Sequence, residues 1–366
     1  MPYIKRIKIH SLRNLTDISL DFSPSVNIFF GNNGSGKSSL LESIAFLGLG
    51  KSFRTHKPKM VIQHNCEKLT VFGELNCQLN QLTHLGIQKD KRGQTNLKIN
   101  GANVYSSSLL AKKLPLQIIN SHSLQLLEGS SKQRRQFLDW MVFHVKPEFI
   151  NTWISLQKVI KQRNSLLRHD KINETELVSW DNELVNLSEI LHELRNEVFN
   201  EFKETLAQPT SEIITQHDAI EFEYYRGWNH EKSLRQVLKE TLRKDIHSGY
   251  THHGPHRADL KISINGRSIT DLLSRGQEKS LVCRLYIGQS TYYQSKLNEN
   301  CVFLIDDMLS ELDMDHRNHL ANWLFDMKSQ IFVTGVDKKE LLNVWHTIDT
   351  DIAMFHVKHD AITKVT

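Results

Sequence analysis

The sequence predicts an α/β fold that is assembled from the two ends of the chain and carries an inserted helical domain. Three observations predict it. An apolar strand near residue 30 leads into a glycine-rich loop, an apolar strand near residue 305 ends in two carboxylates, and helical spacing dominates the chain between them. We therefore expect one α/β domain from residues 1–125 and 250–366, with residues 126–249 inserted as an all-helical domain.

The composition is that of an ordinary globular protein. The 366 residues are 39% hydrophobic and 24% charged, which argues against disorder. No apolar run approaches the roughly 20 residues of a membrane span, and the N-terminus lacks the apolar core of a secretory signal, so we expect a cytoplasmic protein. The net charge of +5 permits a polyanionic partner without requiring one. Four cysteines without C-x-x-C spacing are expected to be reduced packing residues: Cys66, Cys77, Cys283 and Cys301.

Short strands and one helix account for the N-terminal part of the chain. Residues 3–10 alternate apolar and charged side chains, which predicts a strand at a sheet edge, whereas residues 26–30 are apolar enough for a buried strand. Apolar residues at helical spacing follow over 38–49. Further strands are predicted at 70–75, 84–88, 96–101 and 116–120.

Helical spacing dominates residues 130–243, where glycine is nearly absent. Apolar residues recur in alternating steps of three and four over 177–198, which is typical of a coiled-coil-like helix. A similar spacing over 149–167 is interrupted by Arg163, and a polar turn at 168–173 separates the two runs. We interpret them as a short antiparallel helical hairpin that projects from the main body. A helical layer within an ordinary subdomain is the alternative.

Strand patterns return after residue 250. Residues 260–266 alternate and end at an Asn-Gly turn. The short, fully apolar runs 301–305 and 330–334 are typical of central parallel strands, and a helix over 315–327 is predicted between them.

The strongest local signal is the segment 31–38, which fits the phosphate-loop pattern G-x-x-x-x-G-K-[ST] between a buried strand and a helix. Its glycines allow backbone N–H groups to approach phosphate oxygens at a helix N-terminus. Lys37 is expected to reach the β- and γ-phosphates of ATP, and Ser38 to bind Mg²⁺. Nucleotide contacts are predicted for Gly31, Asn32, Asn33, Gly34, Ser35, Gly36, Lys37, Ser38 and Ser39. The alternative, a glycine turn with an incidental lysine, is disfavoured by the flanking strand and helix.

Two carboxylates follow the apolar run 301–305. Asp306 suits a carboxylate that holds Mg²⁺ either directly or from its second coordination shell, and Asp307 is placed to orient or deprotonate an attacking water. With Lys37 they form the predicted catalytic set. Each could instead be a strand-end turn residue, but the upstream phosphate loop and the Leu-Ser-Glu-Leu-Asp segment at 309–313 favour catalysis.

A third segment, Ser274-Arg275-Gly276-Gln277, precedes a predicted helix. Serine and glycine at a helix N-terminus can present hydroxyl and N–H groups to a phosphate. Taken alone, the same residues indicate only a helix cap.

In this order, the phosphate loop, the Ser-Arg-Gly-Gln segment, the Asp-Asp strand end and the loop 310–313 resemble the ABC-type ATPase heads of chromosome maintenance and repair proteins. The sequence is most similar to the RecF family of bacterial DNA repair proteins, over essentially the whole chain. Further similar segments are 9–15, 50–55, 132–140, 161–164 and 253–259. The phosphate loop alone indicates only a superfamily, whereas the joint set is specific.

The resemblance implies a homodimer that sandwiches two ATP molecules, so that a monomeric site is catalytically incomplete. Residues 274–277 of one subunit would cover the γ-phosphate held by Lys37 of the other, and Ser310–Asp313 would lie in the same interface. Two departures imply slow hydrolysis: Asp307 stands where transporter heads have glutamate, and Thr334 stands where they have a switch histidine.

The resemblance further implies that Arg13 and Asn14 approach the adenine. It also implies a glutamine loop that contacts Mg²⁺, for which Gln117 is the candidate.

A basic run at 51–59 contains no acidic residue. It is a solvated loop, a contact to DNA phosphates or, by resemblance, a loop whose arginine reaches the nucleotide. The predicted DNA contacts are Lys51, Arg54, Lys57 and Lys59. The basic residues of 132–135 leave the same choice open. No base-reading motif is evident, so DNA binding would be indifferent to sequence and would weaken steeply with salt.

Together these features predict an ATP- and Mg²⁺-dependent DNA-binding protein, and the resemblance implies that it acts in recombinational repair and replication. The resemblance implies a homodimer that closes with ATP on single-stranded, gapped or junction DNA and opens after slow, DNA-stimulated hydrolysis. It also implies RecO- and RecR-like partners, recombinase loading and induction of the SOS response. The alternatives are an ATPase subunit of an ABC transporter, disfavoured by the helical insertion and basic loops, and a Rad50/SMC-like structural head, disfavoured by the short coiled-coil segment.

Overall fold

The computed structural model describes residues 3–76, 81–207, 220–307, 314–345, 350–359 and 361–365. The chain divides into two compact units. The first comprises Met1–Ser123 and Lys279–Thr366, and the second comprises Leu124–Glu278.

Strands and helices alternate irregularly along the described residues. The strands are β1 (Tyr3–Leu12), β2 (Leu15–Asp21), β3 (Val26–Phe30), β4 (Lys68–Asn76), β5 (Leu82–Asp90), β6 (Thr95–Ile99), β7 (Ala102–Val104), β8 (Leu116–Ile119), β9 (Ile220–Tyr225), β10 (Asp259–Ile264), β11 (Arg267–Ser268), β12 (Val302–Ile305), β13 (Gln330–Gly335), β14 (Ile352–Lys358) and β15 (Ala361–Val365). The α-helices are α1 (Lys37–Leu49), α2 (Ser107–Lys113), α3 (Gln125–Glu128), α4 (Ser131–Val145), α5 (Phe149–Leu166), α6 (Glu174–Ala207), α7 (Leu234–Ser248), α8 (Arg275–Leu297), α9 (Met314–Asp326) and α10 (Lys338–Trp345).

Two six-stranded sheets belong to the first unit. One is antiparallel, in the order β2-β1-β4-β5-β6-β7. The other has the order β15-β14-β3-β13-β12-β8 and is parallel except for the pairing of β14 with β15. The prediction that residues 3–10 form an edge strand was wrong in one respect, because β1 pairs with β2 on one side and with β4 on the other. The alternation marks a strand with one buried and one solvated face.

The core of the first unit lies between the two sheets and encloses α1. Ile7 and Ile9 of β1, Leu40 and Ile44 of α1 and Phe332 of β13 belong to one cluster of buried residues. Helix α1 is buried on almost every side, which explains why its apolar residues are not confined to one stripe. A helix held this firmly fixes the position of the loop that precedes it.

The second unit contains helices α3 to α7 and a three-stranded sheet in the order β11-β10-β9. The prediction of an all-helical insertion ending at residue 249 did not include this sheet. Residues 250–278 belong to the second unit because β10 pairs with β9 over its whole length, from Asp259 opposite Tyr225 to Ile264 opposite Ile220. A strand and its hydrogen-bonded partner cannot be divided between two domains without exposing backbone polar groups.

Helices α5 and α6 pack against each other, but the prediction that they project from the main body was wrong: α6 also packs against α4 and α7, so the pair belongs to a helical layer of the second unit, which was the alternative. Leu156 and Ile160 of α5 are buried, as are Leu184 and Leu191 of α6. Arg163, which interrupts the apolar spacing, is 0% exposed. Its guanidinium donates to Asp181 on α6 at 2.6 Å and to Asp245 on α7 at 2.8 Å. The charged residue therefore joins three helices rather than breaking the seam.

No described helix is both long and apolar enough to cross a bilayer. Cys283 and Cys301 are buried, and Cys66 is half-buried. Cys77 lies outside the described residues.

Candidate nucleotide-binding site

Three adjacent strands of the parallel sheet bring the predicted nucleotide residues together. Strand β13 lies between β3 and β12, with Gly335 opposite Phe30 and Val333 opposite Ile305. The phosphate loop follows β3 and Asp306 follows β12, so both lie at the carboxyl edge of the sheet. Ligands of open α/β sheets bind at this edge.

Two glycines of the phosphate loop occupy positions that no other residue could take unchanged. Gly31 and Gly36 have φ values of 150° and 112°. A Cβ atom at Gly31 would lie 2.3 Å from the carbonyl oxygen of Val357, and one at Gly36 would lie 2.6 Å from Nδ2 of Asn14. The loop is thus packed against β14 on one side and against the β1–β2 turn on the other.

Lys37 is held by the loop that it follows. Its Nζ donates to the carbonyl oxygens of Gly31 at 2.8 Å and Asn32 at 2.9 Å. Burial lowers the pKa of the Lys37 ammonium, while the nearby Asp307 and Asp306 act in the opposite direction. Two neutral carbonyls thus position the ammonium for charge-assisted hydrogen bonds to phosphate oxygens.

Ser38, Asp306 and Thr334 form a hydrogen-bonded cluster. The Ser38 hydroxyl donates to Oδ1 of Asp306 at 2.9 Å, and the Thr334 hydroxyl donates to the same oxygen at 2.8 Å. The N–H of Asp307 donates to Thr334 Oγ1 at 2.8 Å. A serine hydroxyl beside a carboxylate is a set of hard oxygen donors of the kind that Mg²⁺ prefers, so these residues fit the predicted metal.

Thr334 was predicted only as a departure from the switch histidine of related heads. It is 0% exposed and fixes both predicted acids, one through its carboxylate and the other through its backbone. Asp307 has a φ of 55°, in the left-handed region that non-glycine residues seldom occupy. The threonine thus helps to hold Asp307 in a strained conformation at the end of β12.

The buried Glu42 of α1 connects this helix with the β1–β2 turn through an ion pair and with the basic run at 51–59 through a hydrogen bond. Glu42 of α1 is 0% exposed, and Arg13 donates to its two oxygens at 2.8 and 2.9 Å. The Ser52 hydroxyl also bonds to Glu42, and Ser52 Oγ in turn accepts from the N–H of Arg54 at 2.9 Å. The first turn of the basic run is therefore anchored to the phosphate-loop helix.

Arg13 and Asn14 were expected to approach the adenine. The guanidinium of Arg13 lies on Glu42. Asn14 Nδ2 donates to the carbonyl oxygen of Ser35 at 3.2 Å, so Asn14 contacts the phosphate loop itself.

The four predicted DNA contacts are exposed: Lys51, Arg54, Lys57 and Lys59. Of the second basic group, Arg134 donates to both oxygens of Asp259 at 2.8 and 3.0 Å, and Arg135 donates to the carbonyl oxygen of Ala258 at 2.7 Å. These two arginines hold α4 to β10 within the second unit.

Gln117 does not reach the nucleotide residues, so its prediction as the glutamine-loop residue was wrong. It is buried within β8, and its Nε2 donates to Gln289 Oε1 of α8 at 2.8 Å. The residue two positions further, Ile119, accepts the N–H of Asp306 at 2.9 Å. The residues that follow β8 at this edge of the sheet are therefore 120–123, none of which was predicted as a site residue.

The Ser-Arg-Gly-Gln segment lies at the surface of the second unit, where α8 begins. Ser274, Arg275 and Gly276 are exposed, and a Cβ atom at Gly276 would meet no atom within 4 Å. The Ser274 N–H donates to Gln277 Oε1 at 2.9 Å, and the Gln277 N–H donates to Ser274 Oγ at 3.4 Å. Arg275 pairs with Glu128 and Glu278. The loop Ser310–Asp313 lies outside the described residues.

Comparisons with known proteins agree with this geometry. The sequence profile of the RecF/RecN/SMC N terminal domain matches residues 3–363. The DNA replication and repair protein RecF of Cellvibrio japonicus is 44% identical over 98% of this chain and 99% of its own length. That of Pseudomonas syringae pv. tomato is 41% identical over 99% and 98%. The chain belongs to the RecF family.

Solved structures of this family and of Smc heads share the fold. A structure of the recombination mediator protein RecF-ATP in the RecFOR pathway matches with a TM-score of 0.88 and 24% identity, over 100% of this chain and 98% of that one. A Smc head domain from Pyrococcus furiosus matches with a TM-score of 0.57 and 14% identity, over 100% and 96%. The predicted fold class and family are confirmed, and the RecF interpretation is supported over the transporter and structural-head alternatives.

Proposed function

We propose that this chain is a DNA-binding ATPase of recombinational repair and replication that acts as an ATP-dependent homodimer. The observation that carries the proposal is the cluster beside the phosphate loop, where one carboxylate oxygen of Asp306 accepts from both Ser38 and Thr334. The family supports it, since RecF relatives are named DNA replication and repair proteins and a solved RecF is named with ATP.

Mg²⁺ would be held by Ser38 and Asp306 and would supply charge neutralisation at the phosphates. Lys37 binds the β- and γ-phosphates, exchanging its loop carbonyls for phosphate oxygens. Asp307 orients the attacking water and accepts its proton. An aspartate is shorter than the glutamate of related heads, and its backbone is fixed by Thr334, so we expect slow hydrolysis that times the release of DNA.

The second copy completes the site. Residues 274–276 are exposed in the second unit, and a Cβ atom at Gly276 would meet no atom within 4 Å, so a phosphate could approach this helix end on that side without steric obstruction. The hydrogen bond between Ser274 Oγ and the Gln277 N–H is long at 3.4 Å, and the hydroxyl can rotate from it towards a phosphate oxygen. A dimer that buries this segment against the partner's phosphate loop forms only when ATP is present.

DNA would bind to basic residues of the first unit, including Lys51, Arg54, Lys57 and Lys59, through phosphate contacts that are indifferent to sequence. By analogy with relatives of the RecFOR pathway, we propose RecO- and RecR-like partners, recombinase loading and a role in inducing the SOS response. Hydrolysis would then be stimulated by DNA.

Two matched variants test the dimer. Ser274 and Ser233 are both exposed serines that cap a helix together with a glutamine three residues later. Ser274→Arg should abolish the dimer that ATP induces, measured by light scattering with ATP and with ADP, because the arginine occupies the space intended for the partner's phosphate. Ser233→Arg should lower stability by a similar amount, about 1 kcal/mol, and leave the dimer intact.

Both variants should retain ATP binding in the monomer. A Ser274→Arg protein that still dimerises with ATP as the wild type does would contradict the sandwich.

A further inference from the structure

Positive charge is concentrated in two acid-free segments of the first unit. Residues 51–66 and 91–123 contain nine of the 46 Lys and Arg residues of the chain and none of its 41 Asp and Glu residues. The remainder of the chain therefore has 37 basic against 41 acidic residues and is net negative. The positive excess of the whole protein is confined to these two segments.

The fold brings the two segments side by side. A Cβ atom at Gly50, which immediately precedes the first segment, would lie 2.8 Å from Cβ of Ser107 on α2. A Cβ atom at Gly93, in the turn between β5 and β6, would lie 4.0 Å from Cγ of Pro58. Residues 51–60, 91–94 and 105–113 thus form one surface, which we call the basic surface.

Three large apolar side chains are exposed on the basic surface. Tyr105, immediately before the N-cap of α2, is 97% exposed, and Met60 and Leu109 are 56% and 45% exposed. A single exposed apolar residue is ordinary, but three of them among this many cations form a combined apolar and basic face. Aromatic rings beside a cationic track are the usual arrangement for binding unpaired bases.

We propose that single-stranded DNA lies across the basic surface, with an unpaired base stacked on Tyr105 and the backbone phosphates on the surrounding cations. This inference rests on the proposed DNA-binding function and extends it from the run at 51–59 to α2 and the 91–94 turn. The occupant is single-stranded because the bases of a duplex already stack on each other and have no free face to offer the ring. The eight Lys and Arg residues of the basic surface, one of which, Lys91, also pairs with Glu67, supply charge complementarity to the phosphates.

The first experiment measures binding of a labelled thymidine oligonucleotide and of a duplex of the same length by fluorescence anisotropy. Tyr105→Ala should weaken binding of the single strand on the order of tenfold and leave duplex binding within about twofold. Tyr105→Phe keeps the ring and should bind both as the wild type does. Equal loss for both DNAs, or no loss for either, would overturn the stacking role.

A second pair of variants tests the extent of the surface. Arg92→Gln with Lys113→Gln removes two exposed cations of the basic surface, and Lys158→Gln with Lys161→Gln removes two exposed cations of α5 as a control. The first pair should reduce the slope of log affinity against log salt for the single strand by about 1.4, the value for two phosphate contacts, and the control by none. An unchanged slope in the first pair would overturn the extension beyond residues 51–59.

DNA binding by the wild-type protein distinguishes a failure of this inference from a failure of the proposed function on which it rests. Wild-type protein that binds neither DNA form with ATP or with ADP would contradict the proposed function itself. Wild-type protein that binds DNA while Tyr105→Ala binds the single strand equally well would contradict only the inference. Displacement of the oligonucleotide by polyglutamate at equal charge concentration would show that the surface recognises charge alone, and would also overturn it.

Discussion

Two helices of this protein begin at segments expected to face phosphate, and they begin in different ways. Helix α1 starts after Gly36 without any side-chain cap, and its first turn contains no acidic residue. Helix α8 starts after Ser274, where serine and glutamine satisfy each other's backbone N–H groups. The first helix end leaves its amides for an anion, and the second is satisfied by its own chain.

The surroundings of the two helix ends also differ, because the first is packed and the second is exposed. Gly36 is packed against Asn14, and α1 is buried on almost every side, so the phosphate loop has one fixed position. Gly276 is exposed with no atom near its missing Cβ. The phosphate-loop half of the proposed site is therefore complete within the monomer. The half formed by residues 274–277 is stable in the monomer but would bind phosphate only in a partner subunit.

The largest effect should come from removing the charge at the first helix end. Lys37→Ala deletes the ammonium that binds the triphosphate, and we expect ATP affinity to fall on the order of 100-fold, with loss of the ATP-induced dimer. Lys339→Ala, at an exposed lysine of α10, is the control and should change neither. Binding of a fluorescent ATP analogue measures the effect. An affinity for the ATP analogue that is unaltered in Lys37→Ala would contradict the conclusion that the N-terminus of α1 binds phosphate within the monomer.

The next largest effect is expected from a change that keeps both helix ends intact but stops hydrolysis, so that the dimer formed by the two ends can be observed without turnover. Asp307→Asn retains the backbone contact to Thr334 and loses the general base, so we expect phosphate release to slow about 100-fold. The dimer should then persist in ATP instead of dissociating over time, as followed by light scattering. Turnover at the wild-type rate would exclude Asp307 from catalysis.

A smaller effect is expected at Thr334, which organises the first half from within. Thr334→Val removes the donor to Asp306 and the acceptor for the Asp307 N–H, while Thr334→Ser keeps both. The Mg²⁺ concentration for half-maximal hydrolysis should rise about tenfold in the valine variant and recover in the serine variant. A merely structural role would lower stability in the valine variant without moving this Mg²⁺ dependence.

The smallest effect is expected in the second unit, whose stability should depend on pH through His192. Burial lowers the pKa of His192 to about 4 from its ordinary value of 6.5, and the His192 ring stacks on Tyr224 within the second unit. A folded pKa below the unfolded one means that the folded state binds the proton more weakly, so stability falls as the pH drops from 6.5 towards 4.

His192→Phe keeps the stacked ring and removes the titration. We expect the loss of unfolding free energy between pH 7 and pH 5, measured by urea denaturation, to be about 1–2 kcal/mol smaller in this variant than in the wild type. The same pH dependence in both proteins would show that His192 is not a source of the acid sensitivity.

Much of the fold could be predicted because its signals are local. Strands β3, β12 and β13 are short apolar runs, α1 follows a phosphate-loop pattern, and the seam of α6 repeats in steps of three and four. Strand β9 was missed although Ile220, Phe222 and Tyr224 alternate with polar residues, because its partner β10 lies far along the chain. A two-residue period in a mainly helical region is weak until the pairing strand is known.

The candidate site divides in the same way. The residue types of the phosphate loop and of the Asp-Asp strand end were predictable, since a backbone anion cradle and a magnesium ligand demand particular residues at particular spacings. The prediction for Gln117 was wrong because the sequence does not show where β8 ends. Gln117 lies within the strand, and the residues at the edge of the sheet follow Ile119. Thr334 and Glu42 were missed as organising residues because both act through contacts with residues distant in the chain.

The sequence by itself determined the chemistry, because hydrogen-bond donors, charges and glycine conformations are properties of individual residues and their near neighbours. Tertiary structure alone decided which of these groups meet. Strand order placed Thr334 between the phosphate loop and Asp306, and the packing of α2 against the end of α1 joined two acid-free segments into one basic surface. Such meetings depend on how the core closes, which is a property of the whole chain rather than of any segment.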